Sequence, residues 1–173
     1  MHNSLGRLQL LAYSRKIETG SAGGFPIIAL RLVKLIETHS EELAEGLTRK
    51  LLSSERTRDM RKVPANELHH RCHEIYRNLS EWLLNKTEHD VEAVYKALGA
   101  RRAKQNVSMA ALTWAILLTK EHLWTFLEWE GVHGGLHNVF GELELQRLLD
   151  QFFDRAVYFA TEGYEEAMAQ HAA

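Results

Sequence analysis

Apolar residues recur every three or four positions through most of this chain, and strand-like alternation bounded by turn dipeptides is absent. From about Pro26 to Ser53 the stripe runs Ile28, Leu32, Leu35, Ile36, His39, Leu43, Leu47 and Leu51, the spacing of one helical face, and predicts one long helix. A polar break over 54–63 follows. Pro64 then opens a helix that carries Leu68, Cys72, Ile75, Leu79, Trp82 and Leu83, since proline suits the first turn. Thr87, with Asp90 three residues on, forms a variant capping box ahead of Val91, Val94, Tyr95 and Leu98. Asn106-Val107-Ser108 interrupts, and Ser108 is the expected N-cap of a helix from Met109 to about Glu130. Gly131, Gly134 and Gly135 mark a turn. The last helix, from about Leu136 to Gln170, carries Leu145, Leu148, Leu149, Phe152, Phe153, Ala156, Phe159, Ala160 and Tyr164. Gly163 inside it costs about 1 kcal/mol relative to alanine, which points to close helix packing there.

The 109–130 segment differs from its neighbours. Leu112, Ala115, Ile116, Leu123 and Leu127 share a face, while Trp114, Leu117, Leu118, Trp124 and Phe126 extend apolar surface around most of the circumference. Such a helix is expected at the centre of a fold. At the start of the chain, residues 4–18 suggest a short helix capped by Ser4, and Thr19 to Gly24 a flexible stretch. Residues 1–24 therefore read as a helix and Gly/Ser linker, and 25–173 as the main domain. The expected fold is all-α: a single-domain bundle of about six helices, or a globin-like pile, around a buried central helix.

Composition narrows the function. The chain has 173 residues, enough for a real core, with 45% hydrophobic and 25% charged positions. Its net charge of -2, from 21 basic and 23 acidic residues, exerts no global pull toward nucleic acid. Arg56, Arg58, Arg61 and Lys62, and then Arg101, Arg102 and Lys104, form short basic clusters without interleaved aromatic residues, so they read as solvated helix ends. The single cysteine, Cys72, excludes an internal disulfide and suits a reducing cytoplasm. No secretory signal is visible. The most apolar run, Met109 to Thr119, is about half the length of a membrane span.

Ten histidines raise the question of a metal. His69 and His73 are four apart on one predicted helix, as are His133 and His137, and His39 lies on an apolar stripe. His39, His133 and His137 together would make a three-histidine site, the alternative reading of this chain as a metal-dependent helical-bundle enzyme. Each has a plainer explanation as a boundary or turn residue. Two Glu-x-x-His pairs, Glu67–His70 and Glu130–His133, are badly placed for a di-iron centre. His122 is a weak haem candidate and reads as a polar-face residue. Cys72 on its apolar stripe is expected to be inert, the serines read as caps, and no phosphate-binding glycine loop occurs. No cofactor and no catalytic constellation is expected. What remains is aromatic: a ligand pocket beside Tyr95, Trp114 and Trp124, and a homodimer surface on the last helix from Phe152, Phe153, Tyr158 and Phe159.

The run from Tyr95 to Arg102, Val107 to Ala115 and Lys120 to Trp124, together with Phe152 to Tyr158 and Glu162-Gly163-Tyr164, resembles the RsbRD-type amino-terminal sensory domain over roughly residues 28–168. The resemblance implies a helical domain placed ahead of bacterial histidine kinases, STAS-domain stress regulators and transcription regulators, with no shared enzymatic activity. Relatives in stressosome proteins have globin-like, haem-free dimeric sensor domains. Within it, Tyr95, Leu98 and Gly99 are expected to pack on the 109–130 helix, Arg101 or Arg102 to snorkel or bind an anion, and Asp154 and Arg155 to join an ion pair. The chain ends at Ala173 with no output domain, so it is expected either to act through a separate signalling protein or to be part of a longer one. The function expected is a cytoplasmic, dimeric, non-enzymatic sensory domain for an unidentified small ligand or partner. A haem or small-molecule binding protein is the third reading.

Overall fold

The computed structural model describes residues 25–130 and 136–172, and all its regular elements there are helical. The expected first helix of 4–18 and the glycine turn after Glu130 lie outside the described residues. The long 26–53 stripe is divided. Helix α1 (Phe25–Thr38) and helix α2 (Ser40–Ser53) are separated at His39. The His39 amide reaches both the Leu35 and Ile36 carbonyls, which tightens the last turn, and its Nδ1 lies 2.9 Å from the Leu35 oxygen. Glu41 and Glu42 in the first turn of α2 then favour a new helix start. One residue of interruption barely moves the apolar stripe, so periodicity alone reads straight through it.

The polar break is itself structured, as a 3-10 segment over Glu55–Lys62. Thr57 is fully buried in it and donates its hydroxyl to the Leu51 carbonyl at 2.7 Å. Helix α3 (Ala65–Arg77) begins behind Pro64 and stops earlier than its stripe suggests. The Asn78 side chain bonds the Glu74 carbonyl at 3.0 Å and competes with the backbone ladder. A wide π-type turn over Glu81–Asn85 carries Trp82 and Leu83 instead. Ahead of it, the Ser80 amide and hydroxyl both donate to Glu37 on α1, at 2.8 and 2.6 Å.

Helix α4 (Glu88–Lys104) opens on the Thr87–Asp90 capping box, with both reciprocal bonds present. Helix α5 (Met109–Trp129) starts at Ser108, whose hydroxyl accepts from the Ala111 amide. Asp59 of the 3-10 segment accepts from the Ser108 amide at 3.2 Å and from Lys62, and these donors hold its carboxyl down at about 2. Helix α6 spans Leu136–Ala172.

The organising element is α6, not α5. Leu145, Leu149, Phe152, Phe153, Ala156, Phe159, Ala160 and Ala167 are all buried along it, and α1, α4 and α5 pack against it. On α5 only one face is buried; Trp114, Leu117, Leu118, Trp124 and Phe126 are half-buried and Trp129 is 87% exposed. Its wide apolar circumference is covered in part by polar groups, as where Arg56 lies 4.5 Å over the Trp114 ring. Helices α4 and α6 run side by side in the same direction. A Cβ at Gly99 would strike the Ala160 carbonyl and lie 2.8 Å from the Tyr164 amide nitrogen. One at Gly163 would strike the Lys96 carbonyl oxygen and lie 2.7 Å from its carbon. Gly99 therefore serves approach to α6 rather than to α5. Gly163→Ala should lower the urea midpoint by the equivalent of about 2 kcal/mol, because backbone overlap outweighs the helix-propensity gain of about 1 kcal/mol. An unchanged or raised midpoint would show that the two helices can separate freely.

Candidate functional site

A cavity of about 50 Å³ sits where α2, the 3-10 segment, α3, α4, α5 and α6 meet. Most of its wall is aliphatic or aromatic, including Leu68, Ile75, Leu98, Ile116 and Phe153. Two arginines and a tyrosine interrupt that wall. Arg71 follows Leu68 by three residues and precedes Ile75 by four, and Arg102 follows Leu98 by four. Both thus stand on the apolar stripes of α3 and α4, the signal by which sequence reasoning could have found them.

The two arginines differ in how their charge is met. Arg102 is 3% exposed, and its Nη1 donates to Glu67 Oε1 at 2.5 Å and Gln105 Oε1 at 2.6 Å. Gln105 closes the triangle by donating to the other Glu67 oxygen at 3.2 Å. Burial works against the ionised Glu67 carboxylate, but the Arg102 hydrogen bond and charge outweigh it and keep the group below its usual range. Arg71 has no such partner inside. Its Nη1 reaches outward to Glu74 at 3.4 Å, while Nε and Nη2 are buried without a hydrogen bond. The guanidinium carbon lies 5.5 Å from the Tyr95 ring centre. The Tyr95 hydroxyl, on a residue 1% exposed, has no well-formed hydrogen bond and meets only a weak one from Arg71. Burial pushes that phenol up to about 12, with the Arg71 charge and the weak hydrogen bond from Arg71 pulling the other way. Cys72, beside Arg71, is pushed up to about 11 by burial and stays a neutral thiol at physiological pH.

Of the residues first expected around a pocket, Tyr95 lines this cavity, whereas Trp114 and Trp124 do not. The Tyr95 ring instead meets Trp82 and Phe152, at 6.2 and 5.9 Å between centres. On α6, Phe152, Phe153 and Phe159 are buried within the chain and face its core; Tyr158 alone of that expected dimer set is outward, 61% exposed. The ion pairs of that helix join Arg155 to Glu88 and Asp154 to Lys120. His39 is committed to the α1 terminus and packs 5.3 Å from Phe126. His133 and the side chain of His137 lie outside the described residues. His69 and His73 stack with centres 6.3 Å apart and address opposite oxygens of Glu41 at 3.3 and 3.4 Å. Among the described residues no group of three or more His, Cys, Asp and Glu side chains is arranged to hold a metal ion, and no helix is long and apolar enough to cross a membrane.

His122 is not a simple polar-face residue. It is wedged between α5 and α2, with Nδ1 accepting from Lys50 Nζ at 2.9 Å and Nε2 donating to the Leu43 carbonyl at 3.2 Å. Burial, and then the Lys50 charge, lowers it to about 4. The unfolded chain takes up this proton near pH 6.5 and the folded one does not, so stability is full above that pH and falls as pH drops toward 4. Denaturant titrations should lose about 2 kcal/mol across that window after solvent screening is allowed for, and His122→Gln should flatten the slope. Equal slopes in the two proteins would show that His122 does not carry the effect. Separately, Glu67→Ala should cost about 2–3 kcal/mol in the same assay by leaving Arg102 buried beside a single neutral acceptor, with Glu67→Gln costing less. A loss within experimental error in Glu67→Ala would show that Arg102 finds solvent instead.

No curated protein and no solved structure matches this chain. Residues 41–173 do match a family, described as the RsbT co-antagonist protein rsbRD N-terminal domain. The match opens in the first turn of α2, later than the resemblance read from the sequence, and takes in every residue that lines the cavity while leaving α1 outside. The chain belongs to the RsbT co-antagonist protein rsbRD N-terminal domain family.

Proposed function

We propose that this chain is a non-enzymatic regulatory domain of stress signalling that reports the occupancy of its cavity to a separate signalling protein. The observation that carries this reading is a buried polar pair, Arg71 and Tyr95, whose three inner polar atoms make no well-formed hydrogen bond, at the wall of a cavity where all the main helices but α1 converge. A poorly satisfied buried polar group costs about 1–3 kcal/mol, so a molecule that satisfies these atoms is favoured by that order of energy. That gain is differential binding to one conformation, the quantity a sensor needs. The family is regulatory and supports the same direction.

Self-association is a second reading, favoured by the outward apolar side chains Leu143, Tyr158 and Met168 along α6. It rests on those three and not on the buried phenylalanines beside them.

A thermal-unfolding screen against small acids, amines and neutral polar molecules tests the leading reading. A ligand at a hundred times its dissociation constant adds about 2.7 kcal/mol, or roughly 5–10 °C for a chain of this size. The wild type should respond to one chemical class, and Ala115→Leu, which fills the cavity, should be no less stable and should not respond. No response in the wild type, or an equal response in Ala115→Leu, overturns the proposal.

A further inference from the structure

Resting on that reading, we infer that the cavity ligand is a short-chain monocarboxylate, a two- to four-carbon aliphatic acid held by Arg71 and Tyr95. The three atoms without a well-formed hydrogen bond are Arg71 Nε, Arg71 Nη2 and the Tyr95 hydroxyl. A guanidinium only donates, and a phenol whose oxygen accepts from Arg71 keeps its O–H to give, so a ligand head that meets both must accept. Nε–H and Nη2–H are the two parallel donors on one edge of the guanidinium, spaced to meet both oxygens of a carboxylate. The third nitrogen, Nη1, is already turned outward to Glu74, whose side chain is 48% exposed. This leaves the inner edge free for a second anion.

Charge sets the valence. Glu67 holds Arg102 at 2.5 Å, whereas Arg71 has only the longer, surface-side pair with Glu74 at 3.4 Å and so carries the less fully compensated charge at the wall. A single negative charge matches it; a dianion such as hydrogen phosphate brings a second charge and further oxygens against an aliphatic wall. Most of the rest of the wall, with Leu68, Ile75, Ile116 and Phe153, is hydrocarbon and favours an aliphatic tail over a hydroxylated or aminated one. Thr119 is spent locally, its hydroxyl donating to the Ala115 carbonyl at 2.8 Å. Size follows from volume. A water needs about 10–15 Å³ of such space, so about 50 Å³ accommodates roughly three to five heavy atoms, which is acetate or propionate, with butyrate at the limit. A ligand so small has a ceiling on affinity, and dissociation constants on the order of 10 μM to 1 mM are expected.

The test is calorimetric titration of the full chain with sodium acetate, propionate, butyrate and hexanoate, with propionamide and 1-propanol as neutral counterparts and phosphate and sulfate as other anions. Propionate should saturate, and hexanoate and propionamide should each bind at least ten-fold more weakly. Tyr95→Phe should weaken propionate three- to ten-fold and Arg71→Met at least thirty-fold, while Arg77→Met, which changes an exposed arginine on the same helix, should leave it unchanged. Circular dichroism checks that each variant is folded; should Arg71→Met fail that check, Tyr95→Phe and the propionate–propionamide pair decide the matter. The inference is overturned if propionamide binds as tightly as propionate, if phosphate or sulfate binds more tightly, if neither Tyr95→Phe nor Arg71→Met weakens binding, or if nothing saturates below 50 mM, the behaviour of a cavity that holds water alone. Binding of 1-propanol that Ala115→Leu abolishes, with no preference for acids, would sink the carboxylate and keep the cavity sensor. Loss of every response would sink both.

Discussion

Two glycines place the backbones of α4 and α6 in direct contact, and the position of almost everything else follows from that contact. A side chain at Gly99 or Gly163 would overlap backbone on the neighbouring helix, and backbone has no rotamer by which to yield. Charge fixes the same register. Lys96, whose carbonyl lies against Gly163, reaches Glu162 and Glu166 on α6 at 2.8 and 3.0 Å, and these bonds raise its ammonium above the ordinary lysine value. One turn before Gly99 stands Tyr95, so the close approach decides where that phenol lies relative to Phe152 and the cavity. The helix pair is thus a ruler for the site. A loosened pair would enlarge the cavity and carry the Tyr95 hydroxyl away from Arg71.

How much of this was legible in the sequence depends on the interaction in question. Caps are local: Thr87 with Asp90, and Ser108 with the Ala111 amide, involve residues three apart and can be read directly. Gly163 was legible as a site of close packing because its helix-propensity cost calls for an offset. The partner of Gly99 was not legible, since nothing within α4 says whether α5 or α6 lies over it. Periodicity likewise ran through His39, where a single residue breaks the helix yet leaves the stripe in phase. It overrated α5 for a related reason: apolar composition measures what a helix could bury, and the surrounding helices decide what it does bury.

Of the aromatic residues expected around a pocket, Tyr95 lines the cavity and Trp114 and Trp124 do not. Trp114 and Trp124 are large, and large side chains fill space; a cavity survives where they do not reach. The charged groups at the cavity wall are Arg71 and Arg102, on otherwise apolar stripes, and an arginine in that position is expensive unless its donors are met. Arg102 shows the settled case, with a carboxylate and an amide closing a ring around it. Arg71 shows the unsettled one. The two guanidiniums line one cavity but differ in burial, with the Arg102 side chain 3% and the Arg71 side chain 23% exposed, as well as in what answers them.

A small ligand at this junction is well placed to be felt at a distance. It would touch α3 through Arg71 and α4 through Tyr95, and Tyr95 packs on Phe152 of α6. Movement of Arg71 toward an internal anion would also weaken its hold on Glu74 at the surface of α3, an exchange of one carboxylate for another. The exposed end of that exchange lies on the outside of the domain, where a partner protein can read it. Coupling of this kind needs no wire of residues, only two arrangements of one arginine with different outward charge, and a ligand that prefers one of them.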